Sequence, residues 1–317
     1  MSSLFQNAYY LAINFNAILY GTELALYGLT MQSLFQNRKK WTRTEQFYMS
    51  FSTATLCLIT IYMSTEAVFG QEMWIVHADF PDGGPAGWFL ENVNVWYQTL
   101  GTAASVVLNL LADALLIYRV YVVWTDIRVI AFPCLLYLAT LALGILELYL
   151  SGKPNSDFFV GKAMQLGTAY WASTISLNVI STCIICGRLM YLGRAIEAAR
   201  NVKGRGKAAV RYTGTLEKII ESALPYSMAG IAYLVSFGLG SDLAIMFCAF
   251  YVMFSCISPQ LIIMRIVTGT AWTRDRTAET VSALEFQNLE GRGERSATAV
   301  VSDAASTVDG KSTVEAV

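Results

Sequence analysis

Charge is what this 317-residue chain has least of. Asp, Glu, Lys and Arg together make up 14% of it, against about 25% in ordinary soluble domains. Histidine occurs once, at His77. One imidazole excludes a zinc hydrolase site built on several His ligands, and it equally excludes bis-His haem ligation. Lysine is missing from the last apolar run, 242–264, so no retinal Schiff base can form there. There is no phosphate-cradling glycine loop and no nucleophile elbow; the GRG at 204–206 belongs to a basic loop. These absences read as a protein that is not an enzyme and carries no cofactor, and nothing in the chain suggests a nucleic-acid partner. The six cysteines (57, 134, 183, 186, 248 and 256) all fall in apolar runs. They read as buried thiols acting as small hydrophobes rather than as a disulfide framework.

What the chain does have is apolar residues, 55% of the total, with a mean hydropathy of +0.46. A membrane-spanning helix needs about 20 mostly apolar residues. Seven segments meet that length, at about 8–30, 47–69, 97–122, 129–150, 164–187, 219–238 and 242–264. The expectation is an all-α membrane protein, a seven-transmembrane-helix bundle over 1–267, followed by a disordered Ser/Thr-rich tail over 268–317. The first run has no basic stretch before it and no small-residue cleavage site, so it reads as a retained span.

Basic residues set the expected orientation. Seventeen lie in or beside the first, third and fifth connections and after the seventh run, including eight in the loop 188–218. The alternate connections hold only Lys153 and Lys162. That imbalance places the N-terminus outside and the C-terminus in the cytoplasm. The plasma membrane is the favoured location, the lipid bilayer is the first partner, and 188–218 is a candidate surface for a cytoplasmic signalling partner. The longest outer connection, 70–96, combines Pro81, Gly83, Gly84 and Pro85 with Trp74, Phe80, Trp88 and Phe89. It reads either as a lid over the bundle mouth or as a segment resting on the membrane surface.

Polar residues inside the runs are not scattered. In the third, Gln98, Thr102, Ser105, Asn109 and Asp113 are spaced 4, 3, 4 and 4, which keeps them on one helix face at about 100° per residue. In the first, Asn16, Tyr20, Glu23 and Tyr27 repeat that spacing, and in the fifth Trp171, Thr174, Asn178 and Ser181 do much the same. Such faces avoid lipid and are expected to point into the bundle. Gln98, Thr102, Ser105, Asn109, Asp113, Asn16, Tyr20, Glu23 and Asn178 are the candidate ligand-binding residues. Glu23 and Asp113 fall at matching depth, about 6 Å to the cytoplasmic side of the midplane, which suggests a shared proton, a bound cation or a cationic ligand. The competing explanation is interhelical hydrogen bonding with no ligand. Glu66 and Glu147 lie near the outer ends of their runs and are read as exposed at the interface. Arg119 and Arg265 end the third and seventh runs and are candidates for a cytoplasmic gate or a snorkelling anchor. Asp113 and Arg119 are six residues apart and point in different directions around the helix.

Three stretches, HADFPDGGPAGWFLE (77–91), LLADALLIYRVYVVW (110–124) and ISPQLIIMRIVTGTAW (257–272), resemble in this order a family of seven-span proteins of mushroom-forming (basidiomycete) fungi. Asp82 departs from that family's compact Pro-Gly-Gly-Pro turn. The resemblance implies fold and source, and no activity comes with it. A looser resemblance is to G-protein-coupled receptors, with Arg119 at the inner end of the third helix. Here Tyr118 stands where those receptors place an acid, and Ser258-Pro259-Gln260 stands in place of an Asn-Pro-x-x-Tyr motif. The leading expectation is receptor-like sensing of a small molecule through a polar intrahelical cavity. The alternatives are a small-solute or proton-coupled transporter using Glu23 and Asp113, or a structural membrane protein without a ligand.

Overall fold

The computed structural model describes residues 3–36, 42–81, 84–92, 94–124, 126–152, 161–203 and 224–268. The tail from 269 onward and residues 204–223 of the basic connection lie outside them. The described residues form helices and no strands. In chain order these are α1 (Ser3–Gln36), α2 (Arg43–Gln71) continued by a π-helical turn (Glu72–Val76), α3 (Pro85–Asn92), α4 (Trp96–Trp124), α5 (Ile127–Ser151) and α6 (Gly161–Lys203). α7 (Leu224–Gly238) and α8 (Ala244–Val267) complete the set.

Local chemistry sets several of the helix ends. Thr42 and Glu45 form a reciprocal capping box at the start of α2, with Thr42 N–H donating to Glu45 Oε2 at 2.8 Å and Glu45 N–H to Thr42 Oγ1 at 3.3 Å. Asp126 caps α5 by accepting from the Arg128 N–H at 3.0 Å. α7 ends at Gly240, whose φ of +64° suits a residue without Cβ. The Ser241 N–H donates to Ser236 O at 2.9 Å and the Gly240 N–H to Phe237 O at 3.0 Å, a Schellman closure that turns the chain straight back into α8.

Five helices are long and apolar enough to cross a membrane: α2 with its π turn, α4, α5, residues 165–191 of α6, and α8. α7 is apolar, with a described length of 15 residues. α1 has the length, 34 residues, yet is not among the five; Asn7, Asn14, Asn16, Thr22, Glu23, Thr30 and Gln32 dilute its apolar character.

α4 is the central helix, packed on α2, α5, α6 and α8, while α1 runs along α8 and α2. The side chains are arranged inside out relative to a water-soluble protein. Glu23, Asn109, Asp113, Thr174 and Gln260 are fully buried, whereas Ile18, Leu135, Leu138 and Met228 are each 60% exposed or more. Burying the polar groups and exposing the aliphatic ones is stable only when the surroundings are hydrocarbon. The chain is an integral membrane protein.

The cysteine expectation needs correction. Cys186 and Cys256 are buried, but Cys57, Cys134 and Cys183 are exposed, on the same outward faces that carry the aliphatic side chains. A thiol is apolar enough for either position.

Candidate functional site

The N-terminal ends of α1, α4, α6 and α8 meet the C-terminal ends of α2, α5 and α7 at one end of the bundle, and α3 covers it. Phe5, Tyr9, Phe69, Met73, Trp88 and Phe89 form one buried aromatic cluster there. Phe89 meets Phe5 at 5.0 Å and Phe69 at 5.6 Å, both edge-on, and Trp88 meets Phe69 at 5.2 Å. His77 stacks on Trp88 at 5.1 Å. Trp88 and Phe89 are therefore not surface anchors; they pin the connection onto the bundle as a lid.

Beneath this lid is a cavity with about 140 Å³ of room for water-sized molecules, enough for on the order of ten waters. Its walls include Tyr9 and Asn16 of α1, Tyr62 and Glu66 of α2, Phe89 of α3, Gln98, Thr102 and Ser105 of α4, and Glu147 and Ser151 of α5. Trp171 of α6, Tyr233 and Phe237 of α7, and Cys248 and Val252 of α8 also line it, and Ala12, Ile13, Ala244, Ile245 and Ala249 add apolar surface. Among the described residues no Lys or Arg side chain lines it.

Glu66 and Glu147, expected at the exposed interface, are instead part of this wall. Glu147 is 3% exposed. Its Oε2 makes no well-formed hydrogen bond, and the nearest donor to the carboxyl is the indole N–H of Trp171. Glu66 is held on both oxygens: Tyr9 O–H donates to Oε2 at 2.7 Å and Gln98 Nε2 to Oε1 at 3.3 Å. The reason for the error lies in α5. Thr140, Gly144, Glu147 and Ser151 are spaced 4, 3 and 4 and all are buried, so Glu147 ends an inward stripe like those of α1 and α4. Gly144 permits the close approach behind it, since a Cβ there would stand 3.1 Å from Tyr170 and from Val106.

The expected stripe on α4 faces inward along its whole length but divides into two parts. Gln98, Thr102 and Ser105 line the cavity, together with Asn16. Asn109 and Asp113 are fully buried in the packed layer below. There the Thr174 hydroxyl of α6 donates to Asp113 Oδ2 at 2.6 Å, and the hydroxyls of Tyr226 (α7) and Tyr251 (α8) bond to each other. Trp171 joins the two levels. It is a cavity wall, and its ring stands edge-on to Tyr233 at 5.1 Å, to Tyr251 at 5.3 Å and to Tyr170 at 4.9 Å.

Glu23 and Asp113, expected at matching depth, do not share neighbours. Glu23 is fully buried against α8, beside the Cys256 thiol, while Asp113 faces α6. Among the described residues no group of three or more His, Cys, Asp or Glu side chains could hold a metal ion. Tyr20 bonds to Thr60 of α2 at 2.9 Å and Tyr27 to Thr53 at 3.3 Å, so the lower part of the α1 stripe fastens α1 to α2. Asn178 accepts from Ser227 of α7 at 3.4 Å and borders a void of about 10 Å³ beside Pro259, space for one water at most.

At the opposite end Arg119 does not simply reach outward. Its Nη2 donates to the Ile262 carbonyl of α8 at 3.5 Å while its buried Nε has no partner. Arg265 is on the last turn of α8. Arg188 lies over Trp124 at 5.0 Å, and Trp124 donates to the Ile184 carbonyl at 3.1 Å, tying α4 to α6.

The chain matches no protein-family model, no curated protein and no solved structure.

Proposed function

We propose that this is a seven-helix, receptor-like membrane protein that senses a small molecule in the cavity beneath α3. In this reading α1 and α7 cross the bilayer with the five longer apolar helices. The N-terminus and α3 face outward, and the C-terminus and the 188–218 connection face the cytoplasm. The split of basic residues supports that orientation. For α1, the support is its polar Asn16 and Glu23 on the inside and its exposed Leu11, Ile18 and Leu24 on the outside. The similarity of three stretches to fungal seven-span proteins favours the same fold, and the plasma membrane is the location in which such a protein would meet external molecules.

The observation that carries the proposal is the cavity itself: mostly apolar in its lining, with a few polar groups left short of hydrogen bonds, roofed at one end and underlain by a packed layer. A cavity of about 140 Å³ suits a ligand near the size of benzene, which an engineered cavity of about 150 Å³ is known to take up. Trp171 gives occupancy a physical route onward, because its ring touches both the ligand space and Tyr251. Movement of α7 and α8 would then alter the basic cytoplasmic end, where a signalling partner binds.

The test uses the purified full chain in lipid nanodiscs with a library of molecules of benzene size, read by thermal unfolding and by a bimane label at R194C. Wild type is stabilised by some members with a change in label emission. Ser105→Phe, which plugs the cavity, stays monodisperse and loses both responses. A library that stabilises neither protein, or both equally, refutes the proposal.

A further inference from the structure

Resting on that cavity reading, we infer that the ligand is a small organic cation, an amine or ammonium group on a compact apolar body, with Glu147 as its counterion. The unsatisfied polar atoms around the cavity are unequal in kind. Three acceptors, Asn16 Oδ1, Gln98 Oε1 and Glu147 Oε2, lack a well-formed hydrogen bond, against one donor, Trp171 Nε1, which stands close to Glu147 as Tyr62 does to Asn16. A ligand that completes this wall must bring more donors than acceptors, as an ammonium does with N–H groups only. Charge points the same way. Among the described residues the wall holds two carboxylates, Glu66 and Glu147, and no basic side chain.

The two acids are not equivalent. Glu66 has both oxygens engaged by Tyr9 and Gln98, so it is oriented by the protein. Glu147 is almost wholly buried and its Oε2 has no well-formed hydrogen bond, with only the Trp171 indole N–H close to the carboxyl, in a setting where an unpaired charge is expensive and a matching cation cancels that penalty. The rest of the wall suits the remainder of such a molecule. Trp171, Tyr62, Tyr233 and Phe89 are part of the lining, and aromatic rings pack against an apolar body and attract a cation over a ring face. An anion would meet two carboxylates, and a neutral hydrocarbon would leave three acceptors unmet.

Three probes of nearly equal size separate the outcomes: benzylamine, benzyl alcohol and benzoate, titrated against the full chain in nanodiscs by thermal unfolding. The expected order is benzylamine tightest, benzyl alcohol weaker by about tenfold, the equivalent of about 1.4 kcal/mol, and benzoate without effect. In Glu147→Gln, close in shape, benzyl alcohol still binds and the advantage of benzylamine disappears. If wild type binds benzyl alcohol as well as benzylamine, or if Glu147→Gln keeps the preference, the cation assignment is overturned while the cavity reading stands. If wild type binds none of the three, both fall. The wild-type comparison needs no variant to fold, so a failure of Glu147→Gln to do so leaves the assignment open to refutation.

Discussion

Thr174→Val is the sharpest perturbation of the layer beneath the cavity. The hydroxyl of Thr174 donates to Asp113 Oδ2 at 2.6 Å, and Oδ1 of the same carboxyl has no partner. Valine keeps the shape and removes that donor from a fully buried acid. Interhelical hydrogen bonds in membrane bundles average about 0.6 kcal/mol and reach about 1.7. A carboxyl whose other oxygen is already unpartnered belongs at the top of that range, so Thr174→Val should cost about 1.5 kcal/mol. Asp113→Leu removes the acceptor instead. Thr174 can then turn back to the carbonyl of Tyr170 in its own helix, as Thr does at four residues' spacing, and no orphan remains. That change should cost less than about 0.5 kcal/mol. The double variant should resemble Asp113→Leu alone, which makes the coupling between the sites about 1.5 kcal/mol, the whole cost of Thr174→Val. Reversible SDS unfolding of the purified chain in bicelles measures all three. Additivity to within about 0.3 kcal/mol, or an Asp113→Leu variant less stable than Thr174→Val, would refute the reasoning.

Other consequences can be checked singly. A Cβ on Gly230 would stand 2.9 Å from Ile175 and 3.0 Å from the Tyr251 ring, whereas Gly187 has open space; Gly230→Ala should lose about 1–3 kcal/mol of stability and Gly187→Ala none, by the same unfolding assay. Trp88 carries both the His77 stack and the Phe69 contact, so Trp88→Leu should loosen the lid, seen as faster methanethiosulfonate labelling of S105C than in the parent S105C chain. For the proposed topology, K153C should react with an impermeant maleimide added outside intact cells and R38C only after permeabilisation; the reverse result overturns the orientation. Arg119→Ala should free the α8 backbone at Ile262 and raise amide exchange over 262–266, with no change around Cys248.

How much of this was legible in the amino-acid order differs from helix to helix. The α4 stripe was readable because four- and three-residue spacing fixes which residues share a face, and Gln98, Thr102, Ser105, Asn109 and Asp113 do turn inward. The helical segments were readable because long apolar runs leave the backbone no other way to satisfy its polar groups in hydrocarbon. Glu147 was misjudged from depth. A carboxylate near the end of an apolar run is inexpensive if it faces the headgroups, and depth says nothing about rotation. The rotation was nonetheless written in α5, where Thr140, Gly144, Glu147 and Ser151 repeat the spacing that marked the other stripes. Reading the whole face would have turned Glu147 inward.

Partners are a different matter, because a period along one helix does not say which faces meet. The Tyr226–Tyr251 pair joins residues of two helices, and Thr174 meets Asp113 through a crossing of α6 on α4 that no local spacing encodes. The same limit explains Glu23 and Asp113. Equal depth on two helices is necessary for a shared site but not sufficient, and packing gave Glu23 to α8 and Asp113 to α6. A stronger signal is the depth at which polar positions coincide on many helices at once. Asn16 on α1, Glu66 on α2, Gln98 to Ser105 on α4, Glu147 and Ser151 on α5 and Trp171 on α6 all fall near the α3 end of their helices. Five helices cannot all satisfy polar groups at one level by pairwise contact, because each pairing places further side chains behind it. The surplus at that level is the cavity, and its character follows from which polar groups are left over: mainly acceptors, with Glu147 the one among them that carries a full charge when ionised.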